Sequence, residues 1–149
     1  MKRKAKTELS PHLILGRRGE QFALEYLKQR QGYRIVAQNF SIPLGRNLRG
    51  APVVGEIDII GYDGETLAFI EVKTRTSEEM ATAAAALDRA KQRTISRTAR
   101  AYRRLLRLDD INFRFDLVAV VFGDEASPTI TLHKGYFTER AVKPAREIW

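Results

Sequence analysis

Apolar residues recur along this chain with two different periods, and the switches between them mark out its elements. Ser10-Pro11 supplies an N-cap followed by a proline at the first helical position. From there to about Arg30, Leu13, Phe22, Ala23, Leu24, Tyr26 and Leu27 fall on one arc of a helix, with Arg18, Gln21, Glu25 and Lys28 opposite. Gly32-Tyr33 ends that pattern, and Arg34 to Phe40 reads as a strand. Residues 41–54 contain Pro43, Gly45, Gly50 and Pro52, which is loop composition. Glu56 to Thr74 then reads as a hairpin folded about Asp63-Gly64, both of which tolerate the positive φ of a type I′ turn. Ser77 to Ala86 fits either a mobile loop or the lead-in to a helix, and Leu87 to Leu108 is helical and strongly basic. Asn112 to Phe122 is the most apolar strand, and Thr129 to His133 the last one. The order αβββαββ predicts a mixed sheet flanked by helices, in the α/β (α+β) class, and the crossover through the basic helix allows the strand at 112–122 to run parallel to a hairpin strand. Residues 1–10 read as a flexible basic tail, 11–137 as a single domain and 138–149 as a C-terminal extension.

Each helix carries one charge on its apolar side. Glu20 falls between Leu13 and Leu27 on the first arc, where a carboxylate is costly unless compensated. Either it pairs with an arginine or it reaches a metal or a bound water. Lys91 sits near the middle of the arc formed by Leu87, Ile95, Thr98, Tyr102, Leu105 and Leu106. It either lays its stem along apolar surface or meets an anionic partner, for which the acidic hairpin is at hand. Arg89, Arg93, Arg97, Arg100, Arg104 and Arg107 occupy the outer face with almost no acidic partners, so that face is a candidate for contacting phosphates.

Composition narrows the chemistry. The 149 residues suffice for one domain burying roughly 70% of the surface its unfolded chain exposes. Without cysteine there is no disulfide, zinc ribbon or thiol catalysis, and His12 and His133 are too few for a conventional zinc site, so a catalytic metal would be hard and oxygen-liganded. No apolar run approaches the roughly 20 residues of a membrane span, and Met1 to Lys6 lacks the apolar stretch of a signal peptide. The expected compartment is the cytoplasm, with no membrane partner. With 26 Lys and Arg against 18 Asp and Glu, the net charge of +8 favours nucleic acid over an acidic membrane surface.

The chemistry concentrates in Gly55-Glu56-Ile57-Asp58-Ile59-Ile60 and Phe69-Ile70-Glu71-Val72-Lys73. Side chains alternate along a strand, so Glu71 and Lys73 share a face; with Asp58 turned the same way, two carboxylates and a lysine converge. Two carboxylates and the Val72 carbonyl suit Mg²⁺ or Mn²⁺, with sites left for water and a phosphate oxygen. Lys73 would then orient the attacking water or offset charge in a pentacovalent transition state. Glu56 is a secondary acidic candidate, ranked below Glu71 because such residues more often pair with an arginine. Asp116 interrupts an otherwise buried strand and reads as half of a structural ion pair.

Gly16-Arg17-Arg18-Gly19-Glu20 opening a helix, Gly32-Tyr33, Asn39, Gly55 to Ile60, Phe69 to Arg75, Lys91-Gln92-Arg93 and Phe115 to Val120 together resemble, in order and spacing, the YraN-type family over about residues 13–137. That family is described as candidate endonucleases similar to archaeal Holliday junction resolvases. The resemblance implies a restriction-endonuclease-like fold, with Glu20 matching the first-helix glutamate, Asp58 and Glu71 the metal-binding pair, Lys73 the catalytic lysine and Lys91 the polar residue of the next helix. It implies a Mg²⁺- or Mn²⁺-dependent endonuclease acting on branched or structured DNA in repair or recombination, with RNA left open as a substrate and a homodimer suggested by analogy. Phosphate contacts fall to Arg46, Arg49, Arg75, Arg89, Arg93, Arg97 and Arg100. The chain departs from the family at Pro43 to Val54, an insertion that sets Arg46 and Arg49 beside the expected cleft, and at the extension beyond 137. The competing reading is a nucleic-acid-binding module whose nuclease site is degenerate.

Overall fold

The computed structural model describes residues 10–77 and 87–139; the expectations for the basic tail, for residues 78–86 and for residues 140–149 lie outside the described residues. Helix α1 (Pro11–Gln29) starts where the Ser10 hydroxyl accepts from the Leu13 N–H at 3.4 Å. Strands β1 (Arg34–Arg46), β2 (Pro52–Asp63) and β3 (Thr66–Thr76) follow, then helix α2 (Arg89–Leu105), β4 (Phe113–Phe122) and β5 (Thr129–Phe137). The Asp88 carboxylate caps α2 by accepting from the Lys91 N–H at 2.7 Å.

Among the described residues, five strands form one sheet in chain order. The β3–β4 pair is parallel, running from Leu67↔Phe113 to Thr76↔Phe122, and the other pairs of this sheet are antiparallel. The parallel pair is thus the one joined through α2, as a crossover connection requires. Helix α1 covers one face, burying Ala23, Leu24 and Leu27 against Ile59, Ala68, Ile70, Val118 and Val120. Helix α2 covers the other, packing Ile95, Ala99 and Tyr102 against Ile57, Ile60, Leu67, Phe69 and Phe115. This is the expected α+β class, a mixed sheet between helices. Close approach of α1 depends on Gly19, where a Cβ would collide with the Thr74 side chain. No helix among the described residues is long and apolar enough to cross a membrane.

The structure corrects three local expectations. The hairpin turn is Gly64-Glu65, because Asp63 is already paired with Thr66; only Gly64 has positive φ, +60°, which fits a II′ rather than a I′ turn. Of residues 41–54 only 47–51 form a loop: β1 and β2 continue on either side as a paired ribbon to Arg46↔Pro52. Pro43 is tolerated because β1 is an edge strand, where a missing N–H costs no ladder bond. Leu13, placed on the apolar arc of α1, is exposed at the rim of an open cavity, and Leu105 and Leu106 are exposed at the far end of α2.

Candidate active site

The sheet forks. Pairing between β2 and β3 stops at Ile59↔Ile70, while β2 stays with β1 as far as Pro52 and β3 stays with β4 as far as Phe122. Two limbs therefore diverge from one point, and Asp58 and Glu71 are the first residues past it. At the same point the alternation of β2 breaks. Ile57 and Ile60 both join the α2-side core, with Ile59 on the α1 side, and opposite Asp58 Asn39 takes a left-handed φ of +50°. Asn is among the few residues that adopt this conformation readily. In the sequence Asn39 stands out only as one position of the family motif, with nothing local to announce this role.

The break decides how the carboxylates meet. Asp58 and Glu56 open onto a cavity of about 720 Å³ beside α1, shared with His12, Arg17, Glu20 and Gln38. Glu71 and Lys73 open onto one of about 380 Å³ beside α2, shared with Arg75, Asp88 and Lys91. The expectation that Asp58 and Glu71 use one sheet face is replaced by contact across the fork: the Asp58 carboxylate accepts from the Val72 N–H at 2.8 Å and lies within hydrogen-bond reach of the Glu71 carboxyl. Val72 lines the α2-side cavity and a smaller one that also includes Glu20.

Charge here is under-compensated. Burial, then the Asp58 charge, push Glu71 up to about 8, and burial raises Asp58 as well. Two partly buried carboxyls in contact cannot both ionise cheaply, which favours one proton on the pair over two charges. Glu20 is raised too, by burial and then by Asp58, so it belongs to the same electrostatic site. On the other side Lys91 Nζ lies 3.6 Å from Glu71 Oε1, with its side chain about half exposed rather than buried. Lys73 is buried, and burial followed by the nearby Arg75 charge lowers its pKa. Among the described residues no three His, Asp or Glu side chains stand close enough to hold an ion unaided. A cation at the fork would therefore draw on the two carboxylates, a backbone carbonyl and water.

The expected phosphate contacts divide into two groups. Arg49, Arg89 and Arg93 are exposed. Arg46 Nη1 donates to the Gly50 carbonyl at 2.7 Å, Arg97 Nη2 to the Leu44 carbonyl at 2.9 Å, and Arg100 pairs with Glu139 at 2.8 Å. Arg75 Nη1 donates to the Thr74 carbonyl at the rim of the α2-side cavity. Asp116 is structural, as expected: 1% exposed, it accepts from Tyr33 Oη at 2.8 Å, Arg114 Nε at 2.7 Å and the Gly135 N–H at 3.0 Å.

Comparison with known proteins places residues 19–120 under the model of uncharacterised protein family UPF0102, a span that includes Glu20, Asp58, Glu71, Lys73 and Lys91. A UPF0102 protein of Koribacter versatilis is 44% identical over 126 residues, covering 85% of this chain and 80% of that protein. Those of Geobacter sulfurreducens and Chlorobaculum tepidum are 40% and 46% identical over 117 and 109 residues, covering 78% and 72% of this chain and 83% and 74% of theirs. The crystal structure of SSO0001 aligns at 15% identity and a TM-score of 0.41, over 89% of this chain and 56% of that one.

Proposed function

The chain belongs to the uncharacterised protein family UPF0102, whose name assigns no activity, and from the site we propose a Mg²⁺- or Mn²⁺-dependent DNA endonuclease that acts in the cleft of the forked sheet. The observation that carries this is the partly buried Asp58–Glu71 pair, which meets across the fork beside Lys73 and Lys91. Such pairs cost stability and are found where a ligand is meant to relieve them. The donor set fits a hard divalent cation, being all oxygen: Asp58, Glu71, the Val72 carbonyl and Glu20 are the groups that would hold it, with water completing the shell. Bound there, the cation would polarise a phosphodiester and acidify an attacking water.

The chain's own groups supply the rest. Lys73, held in the cavity that Glu71 lines, offsets negative charge developing on the phosphate and holds the attacking water. Lys91 keeps Glu71 anionic once its proton has left. Asp88, which caps α2 with one carboxylate oxygen, lines the same cavity and its charge helps keep Lys73 protonated. Net charge and the exposed Arg49, Arg89 and Arg93 support a phosphate backbone as partner, because backbone contacts position a substrate without reading its sequence.

The test is cleavage of labelled linear, nicked, flapped and four-way DNA with Mg²⁺ or Mn²⁺. Wild type should cut at least one. Asp58→Ala should abolish cutting while leaving DNA affinity intact, and Lys73→Ala should slow it by roughly two to three orders of magnitude, the scale of one preorganised electrostatic group. Wild type and both variants binding alike with none cutting would favour the binding module over the enzyme.

A further inference from the structure

Beyond the last β2–β3 pair, β1 and β2 project as a two-stranded arm. An isolated ribbon of this kind is marginal in water, yet this one is braced at every level. At its root Gly55 lies against Thr98, where a Cβ would collide, and Arg97 ties the arm to α2 through the Leu44 carbonyl. At its tip the Asn47 N–H donates to the Ala51 carbonyl at 2.9 Å and the Gly50 N–H to the Asn47 carbonyl at 2.9 Å. The Asn47 side chain accepts from the Arg49 and Ala51 N–H groups at 3.0 Å each, and Arg46 reaches across to the Gly50 carbonyl. This order holds the most exposed apolar side chain of the arm, Leu48, fully in solvent at the corner of the turn, with the half-exposed Val54 further back on the ribbon.

A single exposed leucine is ordinary. A leucine held on a rigid arm that runs out from the fork, flanked by Arg46 and Arg49, is an apolar point between two cations. That combination suits nucleic acid, whose phosphates take the charges while an unstacked base step takes the apolar tip. A second copy of this chain suits it poorly, because the arginines would repel and one side chain buries far less area than a stable dimer needs. We propose that Leu48 is a wedge that enters an open base step of branched DNA, so that the arm selects structured over linear substrates. The proposal rests on DNA being the ligand of the cleft. Leu48 lies beyond Pro52, which is itself six residue steps of extended chain from Asp58, about 20 Å at ~3.3 Å per residue. Opening costs least where stacking is already broken, which is the source of the selectivity.

The experiment uses the full chain in EDTA, so that nothing is cut, with a four-way junction carrying 2-aminopurine at the branch and a linear duplex of the same sequence. Wild type should bind the junction more tightly and raise the 2-aminopurine fluorescence. Leu48→Ser, a solvent-exposed change, should lose about tenfold on the junction together with the fluorescence rise and bind the duplex as before, while Leu48→Trp should retain both junction signals. Leu48→Ser matching wild type on both DNAs overturns the wedge and leaves the nuclease reading standing. So does a wild-type dimer in sedimentation that Leu48→Ser dissolves, since the tip would then be a contact between copies. Wild type binding no DNA at all overturns both readings.

Discussion

Strand β2 carries an aspartate at each end of its pairing with β3, and the two live in opposite surroundings. Asp63, at the closed end, accepts from Arg114 at 2.8 Å and Lys134 at 2.9 Å, and those cations hold its pKa below the ordinary value. Next to it the buried Asp116 takes donors from Arg114, Tyr33 and the Gly135 backbone. Burial and the bond to Asp116 raise the Tyr33 hydroxyl, and the two carboxylates raise the Arg114 guanidinium. Asp58, at the open end, accepts from one backbone N–H and lies against the Glu71 carboxyl, and both carboxyls are pushed up by burial. The same sheet thus satisfies acidic groups completely where they fasten strands together and leaves them short of positive charge where a cleft opens. That contrast, rather than the presence of acids, marks the functional end.

Three substitutions sharpen it. The largest effect belongs to Asp116→Ala, which removes the acceptor shared by Arg114, the Tyr33 hydroxyl and the Gly135 N–H and leaves Arg114 with Asp63 and Tyr33 alone; urea unfolding should show a loss of about 2–4 kcal/mol. A loss under about 1 kcal/mol would mean that water replaces the network freely.

Glu71→Gln should have the opposite sign. An amide N–H can donate to Asp58 as a protonated carboxyl would, without a charge to bury. The folded pKa of Glu71 is raised from 4.5 to about 8, so its stabilising contribution is complete below pH 4.5 and lost as pH rises through about 8. Metal-free wild type should therefore weaken across that window, whereas Glu71→Gln stays flatter and exceeds wild type by about 1–3 kcal/mol above it, the scale of one poorly compensated buried charge. Equal pH slopes would remove the shared proton from the account.

The smallest effect is expected at Asp63→Asn. Asp63 is partly exposed, so its ion pairs should contribute under about 1 kcal/mol at neutral pH. Its pKa is lowered from 3.8, so that contribution is present above 3.8 and fades as pH falls further. A variant that stays weaker than wild type well below that pH would point to a packing role instead.

Local signals in the sequence carry much of this arrangement. Ser10-Pro11 starts α1 at its observed residue, Asp116 proved a structural ion-pair acid, and Glu71 and Lys73 share a cavity as strand alternation dictates. What stayed hidden was non-local. Pro43 and Gly45 read as a loop because no local pattern reveals that β1 lies at a sheet edge, where proline is allowed, or that α2 braces the arm through Arg97. Strict alternation put Asp58 and Glu71 on one face, and only the left-handed Asn39 and the broken phase of Ile57, Ile59 and Ile60 show that they meet across a fork. The donors around Asp116 come from the residue preceding β1, from β4 and from β5, a set that chain order does not bring together.

The central claim, that the open end is built to receive a divalent cation, is tested most directly by thermal unfolding at pH 8 over a Mn²⁺ titration. A cation that binds only the folded site raises Tm progressively with its concentration. Wild type and Asp63→Asn should show that rise, Asp58→Asn and Glu71→Gln should not, and the wild-type response should shrink toward pH 5 as protons compete for the pair. A rise of equal size in all four proteins, or none in wild type, would contradict it.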